Sequence, residues 1–248
     1  MIITLTTDFG LSDPFVGVMK GVILAIAPNA RLVDITHDIP SHDIGEAAFI
    51  LHSSYRYFPE GAIHVAVVDP GVGGARRPVA ASMHNHVFVG PDNGILSLDS
   101  HSETYHITNA SLFHHPVSQT FHGRDIFAPV AAHLARGAPI DSVGPRIDDF
   151  IRTSPFKSRP SVIRVDKFGN VVTNIRRESL RPDFAIRIGG VEIRRMLSNY
   201  DDAQPGELFA IEGSTGFVEV SLKRGSAAET LHIGPGAEIE VETFASNQ

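Results

Sequence analysis

Apolar and polar residues follow two different periods along residues 1–151 of the chain. Short β-branched runs at residues 2–6, 31–36 and 63–69 predict strands, since each is apolar and is followed by turn-forming residues. Between these runs, apolar residues recur every three or four positions, which predicts helices packed against a sheet. This alternation favours an α/β domain in which a mostly parallel sheet is flanked by helices.

Local capping signals predict where these helices begin. Asp13 followed by Pro14 predicts a helix with aspartate as its N-cap and proline at its first position. Asp43 and Glu46 form an aspartate variant of the capping box in front of a second apolar stripe. A third helix is predicted over residues 126–135. Each helix is thus expected to pack on the same sheet.

The pattern changes after residue 151. Residues 152–160 are polar and interrupted by proline, which is typical of a linker. Within residues 161–248, Gly189 and Gly190 indicate a two-residue hairpin, and residues 194–197 indicate a brief helical turn. Because this region predicts no helix to cover its strands, we expect a small β-barrel or sandwich. Its predicted strands are 161–165, 171–175, 185–188, 191–193, 208–211, 217–222 and 237–241.

Composition excludes several classes of protein and of site. The formal net charge of −7 gives no electrostatic footprint for nucleic acid. The chain has no cysteine, which excludes disulfides, thiolate catalysis and cysteine-ligated metal centres. No apolar run approaches the roughly 18 residues that span a bilayer, and the amino terminus enters a strand pattern without a leader sequence. We therefore expect a cytoplasmic protein that binds neither nucleic acid nor membrane.

An acid and a base follow the third predicted strand. Asp69 stands just before a Pro-Gly turn, and Arg76 follows seven residues later. Ligands of open α/β sheets bind beyond the carboxyl ends of the strands, so this pair predicts a site. His122 lies in a second strand-to-helix turn, and Asp8 ends the first strand, where carboxylates that bind ribose are common. Taken singly, Asp69 is also compatible with a turn cap, Arg76 with a surface charge and His122 with a turn residue.

The thirteen histidines do not form a metal-binding pattern. The chain lacks His-Glu-x-x-His, and the side chains of adjacent His114 and His115 diverge in an extended backbone. Neither a Gly-x-Gly-x-x-Gly nor a Walker A motif is present, which argues against a pyrophosphate cradle. We therefore expect a site without a metal or a cofactor.

Five motifs at predicted strand ends and turns carry a family resemblance: Thr7-Asp8-Phe9-Gly10, Val68-Asp69-Pro70-Gly71-Val72-Gly73, Gly90-Pro91-Asp92-Asn93-Gly94, Phe121-His122-Gly123-Arg124-Asp125 and Phe168-Gly169-Asn170. In this order they resemble the S-adenosyl-L-methionine (SAM) hydroxide adenosyltransferases, or SAM hydrolases, which are relatives of the fluorinase and chlorinase enzymes. The resemblance extends from residue 3 to about residue 241. It implies an α/β amino-terminal domain and a β-barrel carboxy-terminal domain. It also implies a homotrimer that binds SAM between one subunit's amino-terminal domain and a neighbour's carboxy-terminal domain.

The resemblance also implies a role for each candidate residue. Three residues handle the attacking water: Asp69, Arg76 and His122. Seven residues bind the substrate: Asp8 the ribose hydroxyls, Asn170 and Phe168 the adenine, Asp166 with Asp13 the methionine amino group, and Ser214 with Thr215 the methionine carboxylate.

Two positions distinguish the chain from the halogenase relatives. Those relatives carry a tyrosine at the position of Asp69 and a serine at the position of Gly123. A carboxylate at position 69 repels an incoming halide. We therefore expect a hydrolase that converts SAM and water into adenosine and L-methionine. The alternatives are a SAM-dependent halogenase and a SAM- or adenosine-binding protein without catalytic activity.

Overall fold

The chain folds into two compact units, Met1–Pro155 and Phe156–Gln248. The structure, a computed structural model, describes residues 1–96, 102–152 and 159–243. Most of the predicted linker, residues 153–158, lies outside the described residues. The first unit is a mixed α/β structure and the second is mainly β.

A seven-stranded sheet forms the centre of the first unit. Its order is β2-β1-β3-β5-β4-β6-β7, where β2, β1, β3 and β5 run parallel and the remaining pairings are antiparallel. The prediction of a mostly parallel sheet therefore holds for only one half, because two short strands extend the antiparallel half. The strands are β1 Ile2–Thr7, β2 Arg31–Thr36, β3 Ile63–Val67, β4 Pro78–Met83, β5 His86–Pro91, β6 Glu103–His106 and β7 Arg146–Ile147.

Helices cover both faces of this sheet. The helices are α1 Phe15–Ile26, α2 Ile44–Ser54 and α3 Ala128–Ala135. Strand residues alternate between the faces, so Leu5 and Val67 pack with α1 and α3, whereas Ala66 and Val68 pack with α2. Because helices cover both faces, β1 and β3 are buried. Asp8 and Asp69 follow the carboxyl ends of these two parallel strands, at the same edge of the sheet.

The helix starts agree only partly with the predictions. The Asp43 carboxylate accepts a hydrogen bond from the Glu46 backbone N–H at 2.8 Å, which confirms the predicted cap of α2. Asp13 does not cap α1: the cap position is Pro14, which has a helical φ of −74° and makes no side-chain cap bond. The first two residues of the predicted third helix, 126 and 127, also differ, together with the turn before them. A π-helical turn spans Gly123–Phe127, and α3 begins at Ala128.

The second unit contains two sheets that share the larger of its two hydrophobic clusters. Their orders are β11-β10-β15 and β12-β13-β14-β9-β8. An isolated bridge between Ser161 and Glu238 links the two sheets. Closure of these sheets into the predicted barrel stays a prediction. The strands are β8 Val162–Val165, β9 Val171–Arg176, β10 Phe184–Ile188, β11 Val191–Ile193, β12 Met196–Leu197, β13 Leu208–Glu212, β14 Phe217–Leu222 and β15 Glu240–Thr243.

Two local predictions in this unit were wrong and one is confirmed. Residues 194–197 do not form a helical turn, because Met196–Leu197 pairs with β13 as a short parallel strand. A helix that the pattern did not predict, α4 Ala227–Leu231, is capped by the Ser226 hydroxyl, which accepts a hydrogen bond from the Glu229 N–H. Gly189 and Gly190 form the predicted hairpin turn with φ values of +57° and +77°.

A row of polar side chains crosses the buried sheet of the first unit. Thr4 of β1 and His64 of β3 are register partners, and the Thr4 hydroxyl lies 2.8 Å from His64 Nδ1. The other ring nitrogen of His64 lies 3.2 Å from Nδ1 of His86 on β5. Burial first, and then the nearby His86, lowers the pKa of His64 to about 3. His64 is therefore neutral in the folded protein, and protonation opposes folding.

This row makes stability depend on pH. The unfolded His64 titrates near its ordinary pKa of 6.5, so its contribution to stability is complete above that value and declines as the pH falls toward 3. Between about pH 7 and about pH 5, we expect the wild type to lose about 2 kcal/mol more unfolding free energy than His64→Phe. Urea denaturation at both pH values measures this difference. His232→Asn, which changes an exposed histidine of the second unit, is the control for the loss of a histidine away from this row. Equal losses in the wild type and His64→Phe would contradict the prediction.

Candidate functional site

A buried ion pair lies at the carboxyl end of β3. Arg76 Nε donates to Asp69 Oδ1 at 2.9 Å, and Arg76 Nη2 makes a second, shorter contact with Asp69 Oδ2. The side chains of Arg76 and Asp69 are only 9% and 5% exposed. Asp69 therefore uses both carboxylate oxygens to hold a guanidinium, and Arg76 is not a solvated surface charge. A buried cation of this kind requires such a partner.

Two glycines allow the loop from Asp69 to Arg76 to close. A Cβ atom on Gly73 would lie 2.2 Å from the carbonyl oxygen of Gln119, and its φ is +73°. A Cβ atom on Gly71 would lie 3.2 Å from Arg76 Cγ. The loop is thus packed directly against the segment that leads to His122.

His122 completes a three-residue cluster with the ion pair. Its Nδ1 lies 2.7 Å from Arg76 Nη2, and because the guanidinium can only donate, Nδ1 accepts. Burial, and then the positive charge of Arg76, lower the pKa of His122 despite the opposing charges of Asp69 and Asp125. The imidazole is therefore neutral, and the hydrogen-bond network assigns its proton to Nε2.

Neighbouring contacts fix the segment that carries His122. Asp125 is fully buried and accepts hydrogen bonds from Arg124 at 2.6 and 2.8 Å and from the Ser118 N–H at 2.8 Å. The rings of Phe9, Phe15 and Phe121 pack edge to face, with centroids 5.2–5.9 Å apart. These aromatic contacts join the end of β1 to the His122 segment.

Asp8 and Asp13 both follow β1, but their settings differ. Thr7 is the register partner of Val67, so Asp8 ends its strand beside the strand that leads to Asp69. The Asp8 carboxylate accepts a hydrogen bond from the His42 N–H at 3.0 Å. Asp13 is exposed just before α1. The structure thus brings Asp8 to the strand end where the cluster lies and leaves Asp13 at the surface.

In the second unit, Asp166 organises the turn that contains Phe168 and Asn170. Asp166 Oδ1 accepts hydrogen bonds from the backbone N–H groups of Phe168 and Asn170, each at 2.9 Å. Asp166 Oδ2 accepts one from the side-chain amide of Asn170 at 2.9 Å. Asn170 is buried, whereas Phe168 is 68% exposed. The turn therefore presents an exposed ring beside an amide of fixed orientation.

A pocket of about 590 Å³ lies against this turn. Four of the predicted substrate-binding residues line it: Asp166, Phe168, Asn170 and Ser214. Thr215 does not line it, and its buried hydroxyl has no hydrogen-bond partner among the described residues. The sequence patterns missed the other lining residues, among them Tyr200, Glu219 and Arg224. The available signal was Glu219, the single acid of β14, where Ser221 is the only other polar residue.

Glu219 is the unusual member of the lining. Burial, with Asp166 as a nearby like charge, raises the pKa of Glu219. The Tyr200 hydroxyl lies 3.3 Å from Glu219 Oε2 and donates to it.

Within residues 1–96, 102–152 and 159–243, no group of three or more His, Cys, Asp and Glu residues is placed to hold a metal ion. In the same ranges no helix is long and apolar enough to cross a membrane.

Comparison with known proteins assigns both units to one family. Residues 3–144 match the model of the SAM hydroxide adenosyltransferase N-terminal domain, and residues 160–240 match that of the C-terminal domain. The chain belongs to the SAM hydroxide adenosyltransferase family. The N-terminal match contains the Asp69, Arg76 and His122 cluster, and the C-terminal match contains the pocket lined by Asn170 and Glu219.

Individual members and relatives of this family align over nearly the whole chain. The chain is 40% identical to the (R)-S-adenosyl-L-methionine hydrolase of Salinispora arenicola, over 96% of this chain and 97% of that protein. It is 26% identical to a fluorinase of Nocardia brasiliensis, over 97% and 96% of the two chains. A solved structure of an uncharacterized conserved protein from Thermotoga maritima superposes with a TM-score of 0.89 and 36% identity, covering 98% and 100% of the two chains.

The close approach at Gly73 generates a test of the loop geometry. Gly73→Ala forces a Cβ against the Gln119 carbonyl, whereas Gly61→Ala has the same positive φ with no atom within 4 Å of the new Cβ. We expect Gly61→Ala to lower the unfolding free energy by about 1–2 kcal/mol, from backbone strain alone. We expect Gly73→Ala to cost about 1–3 kcal/mol more, because backbone must move. Urea denaturation of both variants measures the difference, and equal costs would show that the loop does not depend on this contact.

Proposed function

We propose that this protein hydrolyses SAM by attack of water-derived hydroxide on the ribose C5′ atom, which gives adenosine and L-methionine. The observation that carries the proposal is the buried Arg76 guanidinium, bonded to both Asp69 and His122. It occurs in a chain that is 40% identical to an (R)-S-adenosyl-L-methionine hydrolase. In the reaction a C5′–O bond forms, the C5′–S bond breaks, and its electron pair passes to sulfur.

The charge of the substrate explains why a cation serves this reaction. Methionine leaves as a neutral thioether, so its departure requires no general acid. The difficult partner is the nucleophile, because hydroxide is scarce near neutral pH. A fixed guanidinium beside the attacking water stabilises the hydroxide form electrostatically, especially in a site with little solvent.

The hydrogen bonds of the cluster indicate different roles for His122 and Asp69 in the proposed reaction. His122 Nδ1 already accepts from Arg76, so the imidazole presents an N–H at Nε2. In the proposed reaction His122 therefore donates to the water oxygen and orients it. Asp69 retains lone pairs beyond its two bonds to Arg76 and accepts the proton that the water loses.

The remaining site residues are assigned to parts of the substrate. We propose that Asp8 grips the ribose hydroxyls, that Asn170 contacts adenine and that the exposed ring of Phe168 stacks beside it. Four more residues are proposed for the methionine group: Asp166, Asp13, Ser214 and Thr215.

Residues 1–151 thus form the catalytic domain, and residues 161–248 form a barrel-type domain that contributes adenine and methionine contacts. The protein needs no metal or cofactor and acts in the cytoplasm as a homotrimer.

Product analysis tests the hydrolysis. Purified protein incubated with SAM is expected to release adenosine, and Arg76→Ala and His122→Ala should lower kcat by about 10²- to 10⁴-fold while retaining SAM binding. Chromatography of the products and calorimetry of SAM binding provide the two measurements. The matched control is Arg77→Lys, which keeps a cation beside the buried Asp92 and should keep the wild-type kcat.

Two other outcomes of this experiment would assign a different function to the protein. Halide-dependent formation of 5′-halo-5′-deoxyadenosine in place of adenosine would identify a halogenase. Tight SAM binding with no product, unchanged by Asp69→Ala, would identify a binding protein. The Asp69 carboxylate argues against the first outcome, because it repels a halide at the position of the nucleophile.

Subunit mixing tests the proposed homotrimer and its shared sites. Arg76→Ala inactivates the site through the first unit, and Asn170→Ala does so through the second. If each site combines the first unit of one subunit with the second unit of its neighbour, co-expressing both variants restores about a quarter of the wild-type rate, because about a quarter of sites then lack both substitutions. Sedimentation should give three times the chain mass of 26.8 kDa. A mixture as inactive as either parent would place both halves of the site in one subunit.

A further inference from the structure

The turn after β5 contacts both ends of the loop from Asp69 to Arg76. Before the loop, the Asn93 side-chain amide donates to the carbonyl oxygen of Val68 at 2.8 Å. After the loop, the Asp92 backbone N–H donates to the carbonyl oxygen of Arg77, also at 2.8 Å. This second bond joins backbone atoms and so persists in Arg77→Lys. One short turn, in a motif to which the proposed reaction assigns no role, therefore holds the loop at both ends.

The carbonyl of Val68 depends on the Asn93 side chain. Val68 is fully buried and directly follows β3. The last register pairs of β3 are at Val67 with β1 and at Val65 with β5, so the Val68 carbonyl lies beyond both ladders. A buried carbonyl that loses its hydrogen bond costs free energy. Asn93 thus supplies a bond of the kind that a neighbouring strand supplies further back along β3.

The amide of Asn93 has a single orientation. Its nitrogen meets a carbonyl, which can only accept, and its oxygen meets the Ile95 N–H, which can only donate, at 3.2 Å. Gly90 allows β5 to come this close, because a Cβ atom there would lie 2.4 Å from the carbonyl oxygen of Ala66. Both ends of the amide are bound to the protein itself, which favours a positioning role over a contact with substrate.

We infer that Asn93 is a positioning residue for the attacking water: it fixes Asp69 against Arg76 through the Val68 carbonyl and does not bind SAM. This inference rests on the proposed hydrolysis. Asp69 directly follows Val68, and its carboxylate has to meet the guanidinium and the water at the same time. A misplacement of about 1 Å at a reacting centre costs about 100-fold in rate. The ribose contact proposed for Asp8 does not involve this carbonyl, so substrate binding should persist without it.

A second asparagine of the first unit provides a matched control. Asn109 makes the same pair of bonds, from its Nδ2 to the Ser142 carbonyl at 2.9 Å and to its Oδ1 from the Ser111 N–H at 3.2 Å. In Asn93→Ser and Asn109→Ser, the shorter hydroxyl still accepts from the N–H two residues on but does not reach the distant carbonyl. Each substitution therefore removes one amide-to-carbonyl bond from the same unit.

Kinetics and melting temperatures of the two variants separate positioning from stability. We expect similar falls in melting temperature, because the lost bonds are alike. Asn93→Ser alone should lower kcat, by about 10- to 100-fold, with Kd and KM for SAM within about twofold of the wild type. In an Asp69→Ala background the same substitution should change the residual kcat by less than about twofold, because the residue that it positions is absent.

Hydrogen exchange measures the loop without any reaction. The backbone amides of residues 69–77 are expected to exchange faster in Asn93→Ser than in the wild type, and at the wild-type rate in Asn109→Ser. Mass spectrometry of peptides that cover this loop provides the measurement.

Three results would overturn the inference. An unchanged kcat or unchanged loop exchange in Asn93→Ser would show that the bond does not position the loop. Equal losses of kcat in Asn93→Ser and Asn109→Ser would indicate general destabilisation. A loss of SAM binding that matches the loss of kcat would indicate a substrate contact. If the wild type forms no adenosine, the hydrolysis itself fails, and the exchange of residues 69–77 still decides whether Asn93 holds the loop.

Discussion

The first unit depends on one physical constraint, the burial of the Arg76 guanidinium. A buried cation requires an anion and further acceptors. Asp69 supplies the anion, and His122, which follows Arg76 by 46 residues, supplies a further acceptor. The Phe127 ring lies 5.4 Å from the guanidinium carbon and adds an apolar wall. The end of β3, the glycine loop and the π-helical turn are therefore all positioned around one charge. That loop therefore shares its contacts with the residues proposed to handle water.

The sequence correctly predicted those structural features that depend only on residues close together in the chain. The cap at Asp43 and the hairpin at Gly189 are confirmed because one hydrogen bond or one backbone conformation decides each. The strands β6 and β7 were missed because they are short and partly polar, and only pairing with β4 and with each other makes them strands. The prediction that Asp13 caps α1 was wrong, because Pro14 has the helical backbone conformation and occupies the cap position itself.

The candidate site was predictable to the extent that topology brings strand ends together. Asp69 and Asp8 follow neighbouring parallel strands, so their proximity to one edge follows from the order of elements. The three hydrogen bonds of Asp166 and the half-buried setting of Glu219 were not predictable, because they depend on the tertiary contacts of a turn and on the space beside Gly213. The substrate roles of all these residues stay predictions.

The bond between Asp166 and Asn170 has a consequence for the adenine contact proposed for Asn170. Because the amide nitrogen of Asn170 donates to Asp166 Oδ2, the amide oxygen remains as the acceptor. An amide oriented in this way favours a base edge with an exocyclic amine and opposes one with a carbonyl at the same place. In the proposed complex, the turn therefore favours adenine over hypoxanthine, with no rotation of the amide to be completed on binding.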